Sequence, residues 1–245
     1  MKNKCFLRAC LFLALAALLS TAGCAVYERP GEEFPENAVS DAIQNTDTAA
    51  LPVPSIEAGS VAEALNRRES VRNFSDAAPG IEEAALLLWA AAGMKVEGET
   101  GPTRTAPSAG GAYPLEIYLL AGNIEGLDRG VYRYDPGLHG LQMLVAQDER
   151  TELAEAALGQ SFIADAPLVI VLVAHYERTT GRYGERGERY VLIDAGHVSQ
   201  NISLQAVELG LGSVIVGAFD DREVAEIIST EGDPLLILPV GIPVP

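Results

Sequence analysis

Apolar and polar residues alternate along this chain with the spacing of helices in some segments and of strands in others. In the segment 189–209, apolar residues recur every three or four positions, which is typical of a helix with one buried face. Gly210 follows in the position at which glycine commonly ends a helix. Ser60 and Glu63 are spaced as a capping box at the start of an earlier helix. The pattern predicts further helices at 60–68, 81–94, 149–158 and 221–228.

The strand pattern is clearest at 168–175, where a run of apolar, mostly β-branched residues predicts a strand buried on both faces. Asp135-Pro136-Gly137 is a turn sequence, so the segments that flank it form a predicted hairpin. The remaining predicted strands, with those of the hairpin, are 115–121, 130–134, 141–145, 213–219 and 235–240. Because helices and strands do not alternate strictly, the predicted class is α+β, with a mainly antiparallel central sheet flanked by helices.

The first residues have the layout of an export signal. Basic residues precede an apolar run at 11–19, small residues follow up to Gly23, and Cys24 comes next. This layout resembles a bacterial lipoprotein signal, in which the cysteine becomes the lipidated first residue of the mature protein. A plain secretory signal, cut near Ala22 or Ala25, is the alternative.

The signal divides the chain into three predicted parts. Residues 1–23 form a signal peptide, 24–58 a polar, proline-containing tether and 59–245 a folded domain. Removal of the signal leaves Cys24 as the only cysteine, so the domain has no disulfide and no thiolate nucleophile. We expect a lipid-anchored protein of the cell envelope, on the periplasmic face of the outer membrane in a Gram-negative cell.

Charge and missing motifs exclude several functions. The formal net charge is -17, whereas nucleic-acid binding requires clustered lysine and arginine. The histidines His139, His175 and His197 do not have the spacing of metal ligands. The sequence has no P-loop, no Gly-x-Ser-x-Gly elbow and no Gly-x-Gly-x-x-Gly dinucleotide motif.

A local basic cluster stands out in this acidic chain. Arg68, Ser70 and Arg72 occupy alternate positions and would share one face of an extended segment, with Arg67 beside them. Two guanidinium groups and a hydroxyl on one face suit a phosphate group. The alternative is an ordinary basic helix end that stabilises the helix dipole.

Three further segments could contact a flat ligand. The small residues from Pro107 to Gly110 would let backbone approach a ring closely, with Arg104 nearby, or they form a solvent-exposed loop. The adjacent amides Gln200 and Asn201 could bind the edge of a heterocycle or cap a neighbouring element. Glycines flank a predicted strand in the segment Gly210-Leu211-Gly212, where they permit close packing or a ligand.

The order and identity of these segments resemble the nitroreductase family, and within it the SagB-type thiazoline/oxazoline dehydrogenase branch. The resemblance extends from Ser60 to Gly241. It rests on Arg-Arg-x-Ser-Val-Arg-x-Phe at 67–74, Arg-Thr-Ala-Pro-Ser-Ala-Gly-Gly-x-Tyr-Pro-Leu-Glu at 104–116, Gly-x-Tyr-x-Tyr-Asp-Pro at 130–136, Asp-Ala-Gly-His-x-x-Gln-Asn at 194–201, Gly-Leu-Gly at 210–212 and Pro-Val-Gly at 239–241.

The resemblance implies a nitroreductase-like fold, a homodimer and FMN bound at the dimer interface. It implies that Arg68, Ser70 and Arg72 hold the phosphate and ribityl end, with Arg67 in support. Arg104 would be a cation near the flavin ring. The other residues implied for the cofactor are Pro107, Ser108, Ala109, Gly110, Gln200, Asn201, Gly210, Leu211 and Gly212.

The implied function is an FMN-dependent oxidoreductase that passes electrons between a donor such as NAD(P)H and a small organic or peptide-derived substrate. The sequence departs from the family in two ways: no basic residue follows the last predicted strand, and Lys95 is the only lysine after Lys4. The second departure removes the lysine on which azoline-oxidising members depend. Azoline oxidation in peptide maturation is one alternative, and a non-catalytic flavin- or ligand-binding lipoprotein is another.

Overall fold

The computed structural model describes residues 57–95 and 103–244. The predicted signal peptide, Cys24 and almost all of the predicted tether lie outside the described residues. Among the helices that the structure does describe, none is long and apolar enough to cross a membrane.

One helix has 23 residues, and the others are shorter. Within the described residues the helices are α1 (Val61–Arg67), α2 (Ile81–Ala92), α3 (Arg150–Ala156), α4 (Phe162–Asp165), α5 (Glu177–Tyr183), α6 (Arg186–Glu208) and α7 (Asp221–Ile227). The strands are β1 (Met94–Lys95), β2 (Thr103–Arg104), β3 (Leu115–Ala121), β4 (Gly130–Asp135), β5 (Gly140–Val145), β6 (Leu168–Ala174), β7 (Gly212–Ser213) and β8 (Asp233–Gly241).

Six strands form one sheet in the order β5-β4-β3-β6-β8-β7, and β1 and β2 form a separate ribbon. Every neighbouring pair in the six-stranded sheet is antiparallel. The predicted hairpin is β4–β5, with Asp135 opposite Gly140. The prediction of an α+β fold with a mainly antiparallel sheet is therefore confirmed.

Strand β6 runs through the middle of this sheet, and its alternate side chains enter two apolar clusters. Leu168, Ile170 and Leu172 pack with residues of α2 and α6 on one face. Val169 and Val171 pack with residues of α3 and α7 on the other. The continuous apolar sequence of β6 is thus explained by burial on both faces.

Helix α6 begins at Arg186, three residues before the predicted start, and ends as predicted. Leu209 is its C-cap, and Gly210 follows with a φ of 72°. The Leu211 N–H donates to the Ala206 carbonyl at 2.8 Å, which is the long hydrogen bond of a Schellman motif. Half of the predicted capping box of α1 forms, because the Ser60 hydroxyl accepts from the Glu63 N–H at 3.1 Å. The Glu63 carboxylate accepts from the Gly59 N–H at 2.6 Å and not from the Ser60 N–H.

The predicted strand at 213–219 is wrong in length. Only Gly212–Ser213 forms a strand with β8, followed by an isolated bridge between Val216 and Ile237. Pro239 lies in β8 between these two pairings, and it has no backbone N–H to donate to the segment that follows Ser213. The segment therefore follows β8 without forming a continuous ladder.

The close packing of Gly212 gives a stability prediction. A Cβ added there would lie 2.7 Å from the Cβ of Val71, whereas a Cβ on Gly181 in α5 would meet nothing within 4 Å. We expect Gly212→Ala to lower the free energy of unfolding by about 1–3 kcal/mol because the overlap cannot be relieved by rotating a side chain. Denaturant unfolding measures this difference.

Gly181→Ala is the matched control. It should leave the free energy of unfolding unchanged or raise it by up to about 1 kcal/mol, since alanine favours the helix. Equal stability of the Gly212→Ala variant and the unchanged protein would contradict the packing described here.

Candidate functional site

The basic segment predicted to hold a phosphate is extended and lies along β7. Arg68 is the C-cap of α1, and its backbone is already in the extended region. The Val71 N–H donates to the Ser213 carbonyl at 3.0 Å, and Ser70 forms a parallel bridge with Ser213. This pairing fixes the alternation of side chains along the segment.

The alternation separates two sets of side chains. Arg67, Glu69 and Val71 line a groove of about 330 Å³ together with Gly210-Leu211-Gly212-Ser213. Arg68, Ser70 and Arg72 do not line that groove and are exposed. Arg67 and the Gly210–Gly212 segment are thus brought together, while the predicted trio lies at the alternate positions.

The trio is available for an anion. Among the described residues, no carboxylate lies within 4.0 Å of the Arg68 or Arg72 guanidinium. The Arg72 guanidinium lies 5.8 Å from the centre of the Phe162 ring. Because an aromatic ring leaves the donors at the guanidinium edge unused, Arg72 keeps its capacity to bind a phosphate.

The loop predicted to line a flat ring is built around Tyr113. The Tyr113 N–H donates to the Ser108 hydroxyl at 2.9 Å, and the Tyr113 hydroxyl accepts from the Arg104 N–H at 3.2 Å. The Arg104 guanidinium lies 4.6 Å from the centre of the Tyr113 ring. Tyr113 therefore stacks with Arg104 inside the chain and holds the loop together.

Behind this loop lies a small apolar cavity of about 20 Å³. It is lined by Arg104, Pro107 and Ser108, and by apolar residues of α2, β3 and α6. A cavity of this size holds about one water molecule. A flat ligand of the size of a flavin would therefore lie against the outside of the loop.

Asp194 is the residue that the sequence reasoning left without a role. It lies on α6 in the wall of the small cavity and is 4% exposed. Burial raises the pKa of its carboxyl, and the Ser108 hydroxyl and the Ala109 N–H act in the opposite direction. Its Oδ2 atom has no hydrogen-bond partner among the described residues. Asp194 therefore supports the loop through Ser108 and Ala109. Its position in the Asp-Ala-Gly-His motif is the sequence signal that could have identified it.

The adjacent amides of α6 are placed differently from each other. The Asn201 side-chain N–H₂ donates to the Ala90 carbonyl at 3.1 Å and to the Thr105 carbonyl at 3.5 Å. Asn201 thus joins α6 to α2 and to the start of the loop. This agrees with the alternative interpretation, in which the amide caps a neighbouring element. Gln200 is half-buried, and a ligand contact for either amide stays a prediction.

Helix α5, which the sequence did not predict, also reaches the loop. The Arg182 guanidinium donates to the Gly110 carbonyl at 3.2 Å. One turn earlier, Arg178 is bonded to Glu116 at 2.5 Å. The segment is polar and without a side-chain cap, so it offered no helical signal in the sequence.

A family profile, a related sequence and a solved structure all indicate the same family. The sequence profile of the nitroreductase family matches residues 65–242. A nitroreductase-family protein of Methanocaldococcus jannaschii is 45% identical over 195 residues, which cover 80% of this chain and 97% of that protein. The crystal structure of a nitroreductase-family protein from Ralstonia eutropha has a TM-score of 0.65 at 32% identity, covering 80% of this chain and 89% of that one.

The chain belongs to the nitroreductase family. Members of this family are generally oxidoreductases. A more distant relative is the microcin B17-processing protein McbC of Escherichia coli, which is 28% identical over 133 residues. That match covers 52% of this chain and 49% of McbC.

In this nitroreductase-family chain, the two groups of predicted ligand contacts lie far apart. Asp194 lies beside the loop that is predicted to line a ring, and Gly210 follows the end of the same helix. At about 1.5 Å per helical residue, roughly 20 Å of α6 separates the two. One chain therefore presents the basic segment and the loop as two separate halves.

The buried carboxyl of Asp194 gives a prediction of pH dependence. Its folded pKa is raised above the ordinary value of 3.8. The stability that this group contributes is therefore fully present below the unfolded pKa and is lost as the pH rises through the raised folded pKa. Asp194→Asn removes this titration, so we expect the variant to gain Tm relative to the unchanged protein as the pH rises above about 4.

Thermal unfolding of both proteins between about pH 4 and pH 8 measures the effect. The direction of the trend is decisive, because Asn can still accept the Ala109 N–H. A Tm difference that stays constant across this range, or that changes in favour of Asp194 at higher pH, would contradict the raised pKa.

Proposed function

We propose that the protein is an FMN-dependent oxidoreductase that transfers electrons between a reduced donor such as NAD(P)H and a small organic or peptide-derived substrate. The observation that carries the proposal is the exposed trio Arg68, Ser70 and Arg72, which has no carboxylate partner among the described residues. Two guanidinium groups and a hydroxyl at alternate positions match the oxygens of one phosphate.

The second support comes from the loop at 107–110. Tyr113 and Asp194 fix this loop from within the chain, so that its outer surface is presented without rearrangement. Small residues there let the backbone approach a ring closely. When bound, FMN supplies the electron-transfer chemistry, and the chain's own residues hold and orient it.

A homodimer reconciles the two separated halves. We propose that the basic segment of one copy and the loop of the other meet across a two-fold axis, so that each copy contributes to two identical sites. Beside Asp194, helix α6 exposes Leu192 and Ile193, which are 55% and 44% accessible. Helix α2 exposes Leu86 and Trp89 in the same way, at 43% and 42%, and a second copy would cover such side chains.

Envelope attachment completes the proposal. A signal at 1–23 and lipidation of Cys24 would place the domain outside the cytoplasm, on the tether at 24–58. NAD(P)H is scarce outside the cytoplasm, so an exported protein would use another electron donor. A protein that is not exported would use NAD(P)H. Radiolabelled palmitate incorporation, compared with Cys24→Ala, tests the anchor directly.

Azoline oxidation in peptide maturation is the second candidate. The similarity to McbC favours it, and the lack of any lysine after Lys95 weighs against it. A flavin-loaded protein that is bleached by NADH and reoxidised by a nitroarene supports the proposed oxidoreductase. A protein that binds flavin but is not bleached by NADH, and after reduction by dithionite does not pass electrons to the nitroarene, would indicate the non-catalytic alternative.

The phosphate assignment predicts the result of a double substitution. We expect Arg68→Ala with Arg72→Ala to weaken FMN retention about tenfold or more, because two charge-assisted hydrogen bonds are lost. Nitroarene reduction by NADH should fall in parallel and recover when excess FMN is added. Flavin absorbance after gel filtration and a titration with FMN measure the two effects.

Arg222→Ala is the matched control, because Arg222 is exposed and pairs with Glu226 on α7 at 2.9 Å. It should retain flavin as the unchanged protein does. Unchanged retention in the double variant would refute the role of the basic segment, and a colourless unchanged protein that ignores added FMN would refute the flavin itself.

The shared site predicts complementation between two defective chains. Arg68→Ala with Arg72→Ala disables the phosphate half. Pro107→Trp blocks the loop half with a bulky ring, at a position where the native side chain makes no hydrogen bond. Each homodimer should carry little flavin. A heterodimer of the two variants contains one site with both defects and one intact site, since the interface is isologous.

Co-expression with two different affinity tags isolates the heterodimer. We expect it to bind about half of the flavin of the unchanged dimer. If both halves of each site came from one chain, the heterodimer would bind as little flavin as its parents.

A further inference from the structure

A second, larger cavity lies beside the ring-lining loop. It has a volume of about 500 Å³, which is within the range of small-molecule sites. It is lined by the start of β3, by the β4–β5 hairpin and its turn, and by Arg178 of helix α5. Arg104, Leu115 and Ile117 line both this cavity and the small one, so the larger cavity adjoins the loop proposed to face the flavin.

The acidic side chains of this cavity are already engaged. Glu116 is bonded to Arg178 at 2.5 Å and lies 3.2 Å from the His175 Nε2 atom. The Asp135 carboxylate accepts from the N–H groups of Gly137 and Leu138 at 2.8 and 3.1 Å. Glu116 is therefore paired with Arg178. Asp135 keeps its negative charge, but among the described residues it lies within 4.0 Å of neither Arg104 nor Arg133.

Two arginines keep unused donors. Arg133 donates to the neutral Gln142 side chain at 2.8 Å. Arg104 is half-buried and lies over the Tyr113 ring, with no carboxylate within 4.0 Å among the residues that the structure describes. A partly buried cation without a counterion is costly, and an anionic ligand would offset that cost.

The charge and the walls together define the ligand class. Three arginines and two acids line the cavity, which leaves a single positive charge. This balance suits a monoanion better than the several charges of a phosphate group. Leu115, Ile117 and Leu141 give the cavity an apolar wall, and the planar fork of Arg104 matches a carboxylate.

We propose that this cavity binds the carboxylate of an apolar or aromatic substrate, with Arg104 as the main contact and Arg133 as the second. The inference rests on the proposed redox function and names its substrate class. It places the carboxylate next to the loop that faces the flavin.

The probe is 4-nitrobenzoate, compared with the neutral 4-nitrobenzamide of similar shape. Calorimetric binding is the main readout because it requires no turnover. Arg104→Gln should weaken nitrobenzoate binding about tenfold or more, because a bidentate charged contact is lost. Arg133→Gln should weaken it less, and neither substitution should change nitrobenzamide binding. Arg222→Gln, on an exposed face elsewhere, is the control.

Flavin content and the KM for NADH are measured on the same samples, because Arg104 also lines the small cavity and Arg133 does not. Equal binding of nitrobenzoate and nitrobenzamide to the unchanged protein would overturn the proposal. So would variants that keep the carboxylate preference, and so would a loss confined to FMN or NADH. If nitrobenzoate binding is selective and depends on arginine while no redox turnover occurs, the substrate site stands and the proposed function fails.

Discussion

Burial of strand β6 on both faces is the constraint on which the rest of the molecule depends. Each side chain of β6 is 0% exposed, and its backbone pairs with β3 on one side and β8 on the other. A strand of this kind needs helices on both sides, which fixes the positions of α6 and α7. The register between β3 and β6 places Leu115 opposite Ala174. His175 and Arg178, which follow β6, thereby come to lie beside Glu116 at the start of β3.

Helix α6 connects the core to both halves of the candidate site. Its buried face packs on the sheet through Val198 and Ile202, and its length sets the distance between the loop and the basic segment. Asn201 ties this helix to the carbonyls of α2 and of the loop start. Because α6 packs into the core, neither half can move toward the other without disrupting that packing. In the proposed homodimer, a second chain would complete a site that uses both.

The sequence predicted the elements whose signal is local. Strand β6, helix α6 and the hairpin turn at Asp135 each follow from periodicity or turn residues, and the structure confirms them. The interruption after β7 could not be predicted, because it depends on Pro239 in a strand that pairs with it only in the fold. Helix α5 lacked both apolar periodicity and a cap. One cavity is lined by Arg104, Arg133 and Arg178, which come from three distant segments. The fold alone brings them together, so their clustering could not be predicted from the sequence pattern.

Because the net charge is -17, anion binding by this protein depends on local contacts with these arginines. A strongly negative protein repels anions at long range, and salt screens this repulsion beyond about 10 Å. Anion binding must then come from short-range contacts in partly buried places, where a guanidinium acts with little screening. The basic segment at 67–72 offers two exposed cations on one face, whereas Arg104 offers one half-buried cation with an apolar wall nearby. The first arrangement favours a phosphate that stays partly in water, and the second a monoanion whose body is withdrawn from it.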